Sequence, residues 1–246
     1  MSIRNTTAGE KSFDLRLNTK VMLSAMQPAI LKEPDESRMA NAVAKHRERL
    51  KQCGYVDRND TRDSVSTVLD WVSRVRIHQS DPEMRPPGKG VVLFGTFGTG
   101  KTKLLRSLCA YDDSARDQYG NKTGAKYAID YVEIADVIEG FMAYHDEWYV
   151  EFKKAFSHSV LVVDEIGRER YVKHFGSDSI VPDFLEWRYK CFVQNGVTTV
   201  YATNLTSEKE FAKVYSPAIH SRLLEMCFFV PFIGEDWRAK QGAKVA

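Results

Sequence analysis

The stretch that decides the fold runs from Gly90 to Leu105 and reads GVVLFGTFGTGKTKLL. An apolar, β-branched run leads into a glycine-rich turn, then Lys101 and Thr102, then residues with helical character. Gly95, Thr96, Phe97, Gly98, Thr99, Gly100, Lys101 and Thr102 satisfy G-x-x-x-x-G-K-[ST] at every position. Glycines at this spacing let backbone N–H groups curl around a phosphate. The start of the following helix adds partial positive charge. Lys101 is expected to reach the β and γ oxygens of a bound nucleotide, and the Thr102 hydroxyl to bind Mg²⁺.

Working outward, the chain beyond Gly90 alternates strands and helices. Strands are expected at VVLFG, KYAIDYVEI, SVLVVDE, VTTVYATN and CFFVPF. Their nearly continuous apolar runs suit strands covered on both faces, hence a five-stranded parallel sheet with helices on either side. VPDFLEWRYKCFVQNG carries Pro182 in its first turn and Asn195-Gly196 at its end, and reads as a helix. SEKEFAKVY opens with Ser207 and Glu210 at capping-box spacing. Upstream, PDESRMANAVAKHRERLKQCGY reads as a helix with Asp35 or Ser37 as N-cap and Gly54 as its stop. Val65, Val68, Leu69, Val72 and Val75 repeat at helical spacing in the next segment. Residues 1–60 are read as a helical N-terminal partner-binding region and 61–246 as the nucleotide-binding domain.

The composition is that of an ordinary globular chain. Of 246 residues, 43% are hydrophobic and 28% charged, with a formal net charge of +2. A near-neutral total neither requires nor excludes a basic face for nucleic acid. Cys53, Cys109, Cys191 and Cys227 are far apart, which speaks against a zinc ribbon or a disulfide framework. The first twenty residues are polar, and no window reaches the roughly 18 apolar residues of a membrane span. A cytoplasmic protein is expected.

Three further features carry chemistry. Val160 to Glu165 is an apolar strand ending in Asp164-Glu165, which puts one carboxylate beside the metal's water shell and another beside an attacking water. TTVYATN is a strand ending in Asn204, a polar tip able to touch both the γ-phosphate and that water. Arg222 lies in SPAIHSRLLEMC, on a short helix before the last strand.

In this order the features resemble an AAA+ ATPase, and more narrowly the family of DnaC-type helicase loaders and IstB-type transposition helpers. The resemblance covers residues 61–246. Its carriers are GTFGTGKT, VLVVDEIG, FLEWRYK with GVTTVYATNLTSEKEF, and SRLLEMCFFVPFIGEDWR. About a dozen residues follow FFVPF, too few for the helical C-terminal lid of most AAA+ modules, and Trp237-Arg238 matches the aromatic-Arg ending typical of the lidless subfamily. The resemblance implies that Asn204 is the sensor-1 residue. It implies that Arg222 is an arginine finger acting on the nucleotide of a neighbouring subunit in a homo-oligomer. Arg188 matches a frequent family arginine of unassigned role, and Arg238 faces either nucleotide or a neighbour.

The expected activity is a slow, assembly-dependent ATPase with ATP and Mg²⁺ as its ligands. It serves DNA replication by loading a replicative helicase onto DNA, which the resemblance implies is single-stranded. Arg168, Arg170, Lys173 and His174 beside Tyr171 and Phe175 suit either a solvated charged loop, the favoured reading, or a contact to single-stranded DNA. One alternative is an IstB-type helper that binds duplex DNA and recruits a transposase. Another is a nucleotide-gated adaptor that does not hydrolyse. A small-molecule kinase fits least, because no acceptor pocket or lid accompanies the motifs.

Overall fold

The structure is a computed structural model that describes residues 31–113, 129–167 and 180–242. Helix α1 (Glu36–Gln52) and α2 (Arg62–Ser80) precede β1 (Gly90–Phe94) and α3 (Lys101–Asp113). There follow β2 (Ile129–Glu133), α4 (Ile134–Phe156), β3 (Val160–Ile166), α5 (Ile180–Asn195) and β4 (Thr199–Thr203). The chain then runs through α6 (Glu208–Tyr215), α7 (Pro217–Met226), β5 (Cys227–Pro231) and α8 (Trp237–Gly242). The five strands form one sheet in the order β2-β3-β4-β1-β5, and every pairing is parallel.

Period-two alternation assigns the strand side chains to two cores. Val91, Leu93, Val162, Val200 and Ala202 face α1, α2 and α3, where Leu50, Val68, Leu69, Val72, Leu104 and Leu105 cover them. Val92, Leu161, Val163 and Tyr201 point the other way, onto Ile134, Phe152, Phe184, Leu185, Phe211 and Leu223. Val91, Val92 and Leu93 are almost wholly buried, and removing each from water contributes roughly 1.5–3 kcal/mol. This two-sided burial is why the β1 run is apolar without interruption up to the glycine turn.

The helix ends follow from their residues. Asp35 caps α1 by accepting a hydrogen bond from the Arg38 N–H. At the other end Gly54 takes φ +71, the Gly54 N–H donates to Lys51 O and the Tyr55 N–H to Leu50 O. This is a Schellman turn, and it aims Tyr55 back at the core. Ser207 caps α6, and the Glu210 carboxylate reaches back to the Thr206 N–H, 2.6 Å away. β2 ends one residue before the expected strand does: Ile134 already belongs to α4, a 23-residue helix that the sequence reading left unassigned. Phe141 and Tyr149 meet edge to face with centroids 5.7 Å apart.

The segment Tyr111 to Lys126 lies largely outside the described residues, as do residues 1–30 of the N-terminal region. The basic and aromatic insert from Arg168 to Phe175 lies wholly outside them. Among the described residues no helix is long and apolar enough to cross a membrane.

Candidate functional site

The carboxyl ends of β1, β3 and β4 lie side by side in the sheet. In open parallel sheets this is where the crossover connections leave a crevice. The loop after β1 forms one wall. Gly98 and Gly100 adopt φ +68 and +100, conformations that side-chain-bearing residues rarely take. A Cβ on Gly98 would also collide with the Asp236 carboxylate. Lys101, 6% exposed, donates from Nζ to Gly95 O (2.8 Å) and Thr96 O (2.7 Å), with Thr99 Oγ1 at 3.4 Å. Burial lowers its pKa to about 8, Asp164 works against that shift, and the nearby Arg238 adds to it.

At the end of β3 the register against β4 shifts between Val163 and Ile166, and Glu165 takes φ +63. In an unbroken strand Asp164 and Glu165 would point to opposite faces of the sheet. The bulge re-aims the chain, and both residues line the same cavity. Asp164, 2% exposed, accepts from the Glu165 N–H on Oδ1 (2.8 Å) and from the Tyr131 hydroxyl on Oδ2 (2.9 Å). At the tip of β4 the Thr203 hydroxyl donates to Ile166 O (2.6 Å) and accepts from the Leu205 N–H (3.1 Å). That fixes the turn carrying Asn204.

The cavity has a volume of ≈ 340 Å³, within the range of small-ligand pockets. Phe97 to Lys103, Asp164, Glu165, Thr203 and Asn204 line one end. Gly95 and Thr96 stand behind the loop and serve through their carbonyls. The other end is built by Gly54, Tyr55, Val56 and Arg58 from the chain before α2, and by Trp237 and Arg238 from α8. The sequence reading flagged Trp237 and Arg238 but missed residues 54–58. Gly54 registers there only as a helix stop, yet the turn it makes is what delivers Tyr55 and Val56 to the cavity.

Arg58 ties the segment before α2 and the start of α8 to the glycine-rich loop. Its guanidinium pairs with Asp60, donates to Thr99 O (3.3 Å) and Glu235 O (3.2 Å), and lies over the Trp237 ring at 5.1 Å. The Trp237 N–H in turn donates to Gly98 O at 3.1 Å.

Two candidate residues lie elsewhere. Arg222 on α7 does not line the cavity; it pairs with Glu186 of α5 and sits over the Tyr189 ring. Arg188 is wholly buried. Its guanidinium donates to Thr199 Oγ1 (2.9 Å), Phe156 O (2.9 Å), Ser159 O (3.1 Å) and Thr198 O (3.4 Å). Those bonds make it a tie between α5, the end of α4 and the start of β4.

No protein-family model matches the sequence, and no curated protein matches it. Among solved structures, the DnaC helicase loader superposes with a TM-score of 0.50 at 19% identity, over 72% of this chain and 93% of that one. The shared feature is the α/β fold with its five-stranded parallel sheet. DnaI gives a TM-score of 0.49 at 19% identity, covering 77% and 92% of the two chains. AMPPCP-bound DnaA from Aquifex aeolicus gives 0.45 at 14% identity, covering 78% and 54%. At such identities the likeness is one of fold. Gly95–Thr102 follows β1, and Asp164-Glu165 lies at the end of β3, two places away in the sheet.

Proposed function

We propose that the chain is an ATP-hydrolysing replication factor that loads a replicative helicase onto DNA, with ATP acting as an assembly switch. The observation that carries the ATPase half is the convergence of Lys101, Thr102, Asp164, Glu165 and Asn204 on one cavity from three neighbouring strand ends. A hydroxyl and a carboxylate from facing walls are a donor set that fits Mg²⁺, which is held by few protein ligands together with phosphate oxygens. The cation would neutralise charge on the β- and γ-phosphates.

In this reading the loop N–H groups and Lys101 hold the phosphates, and the base lies toward Tyr55, Val56 and Trp237. Glu165 accepts a proton from the water that attacks the γ-phosphorus, the bond to the β,γ-bridging oxygen breaks, and ADP and phosphate leave. Asn204 orients that water. Arg222, half-buried and away from its own cavity, supplies charge to the site of a second copy. In comparable GTPases such a finger is worth about 10³ to 10⁵ in rate. Residues 1–60 are assigned to partner binding, with Gly54, Tyr55, Val56 and Arg58 at their end also lining the cavity of the 61–246 ATPase domain, and single-stranded DNA is the expected nucleic acid.

The test is to immobilise the full-length chain with ATP or ADP and offer it the purified replicative helicase of its own genome. ATP-dependent capture is the expected result. Absence of capture, together with binding of a transposase or of long duplex DNA, would replace the loader by the transposition helper.

A further inference from the structure

The strand β2 contributes nothing to the phosphate loop and has no part in the motifs read above, yet one of its side chains touches the most buried carboxylate of the site. In the parallel register Tyr131 lies opposite Val162 and Glu133 opposite Asp164. Tyr131 and Glu133 are two apart and share a face of the sheet with Val162 and Asp164. The long Tyr131 ring therefore runs toward the strand ends and brings its hydroxyl to 2.9 Å from Asp164 Oδ2.

A phenol has a single proton to give. Glu133 Oε1 is the competing acceptor at 3.3 Å, but Glu133 is already ion-paired with Arg106. The Arg106 Nε–H donates to the phenol oxygen at 3.1 Å. Arg106 thus fills the acceptor side of the hydroxyl, and the proton is directed to Asp164. With Oδ1 engaged by the Glu165 N–H, each oxygen of Asp164 holds one fixed bond and keeps its remaining lone pairs for the cavity.

We propose that Tyr131 is a positioning residue for Asp164, fixing the carboxylate in the orientation from which it meets the hydration shell of a nucleotide-bound divalent cation. The proposal rests on the reading of the cavity as a Mg·ATP site. Groups that orient metal-contacting residues are typically worth 10- to 100-fold in metal affinity. The arrangement also ties the cation side of the site to α3, because Arg106 lies one helical turn beyond Thr102.

The experiment measures binding of a fluorescent ATP analogue to the full-length protein, first in EDTA and then across a MgCl₂ titration. Tyr131→Phe keeps the ring and its stacking under Arg106 and removes only the hydroxyl. The expected result is unchanged affinity in EDTA and an Mg²⁺ midpoint raised by about tenfold or more. Asp164→Asn should abolish the Mg²⁺ effect altogether. A Tyr131→Phe protein with the wild-type Mg²⁺ midpoint, whatever its melting temperature, would reduce the bond to an interior tie and overturn the proposal. Equal loss of affinity with and without Mg²⁺ would overturn it as well. If the wild-type protein binds the analogue with no response to Mg²⁺, the underlying reading of Asp164 fails and the proposal fails with it.

Discussion

Burial brings the Lys101 ammonium down to about 8, and the sign of the consequence is fixed. Above that pH the free protein holds Lys101 neutral, whereas phosphate oxygens require the charged form. A triphosphate that binds there draws a proton onto Lys101. Affinity is therefore expected to fall as pH rises through about 8, by up to about tenfold per unit. Calorimetry at pH 8.5 in two buffers of different ionisation enthalpy should register this proton uptake. Lys101→Arg, charged throughout, should bind without it. Glu165 illustrates a different residue-scale effect. Its positive φ is a strained conformation for a side-chain-bearing residue, held by the bulge that turns it toward the cavity. The Asp-Glu pair was legible as chemistry from its place after an apolar strand, but two adjacent residues of a regular strand would diverge. That both line the cavity depends on a register shift against β4, and nothing in the strand's own residues announces it.

At the scale of elements, α5 is anchored by a buried cation. Arg188 has burial pushing its pKa down and satisfies four acceptors in two segments, Phe156–Ser159 and Thr198–Thr199. Arg188→Ala would leave those acceptors without a donor in a water-free interior. It is expected to cost about 3–5 kcal/mol, read as a lower urea midpoint at constant m-value. Arg188→Lys should recover only part, because one ammonium cannot copy the planar fork. A loss under about 1 kcal/mol would contradict the tie. The sequence marked Arg188 as notable without a role, since three of its four acceptors are backbone carbonyls that no motif encodes. Helix α4 was harder still. Its apolar positions are interrupted between Met142 and Asp146, and no side chain caps its start at Glu133. Helices α1, α5 and α6 were readable because Asp35, Pro182, Ser207 and Gly54 punctuate them locally.

At the scale of the whole molecule, the separation of Arg222 from the cavity predicts hydrolysis that depends on assembly. Arg222→Ala and Glu165→Gln should each bind nucleotide, with ATP turnover reduced at least about 10²-fold. Mixed in equal amounts, they should regain activity in about a quarter of sites, those pairing an intact Glu165 with an intact Arg222, by random assortment of copies. A mixture no more active than its components would place both groups in one subunit or remove Arg222 from the reaction. The sequence by itself determined the parallel sheet, the phosphate loop and the acidic strand end. Each is written in contiguous residues whose burial or backbone geometry follows from local chemistry. Only the tertiary structure decided that residues 54–58 and 237–238 meet across the loop, that Tyr131 holds Asp164, and that Arg222 stands apart. Those relations join segments far apart in the chain, and they exist only once both faces of the sheet are packed.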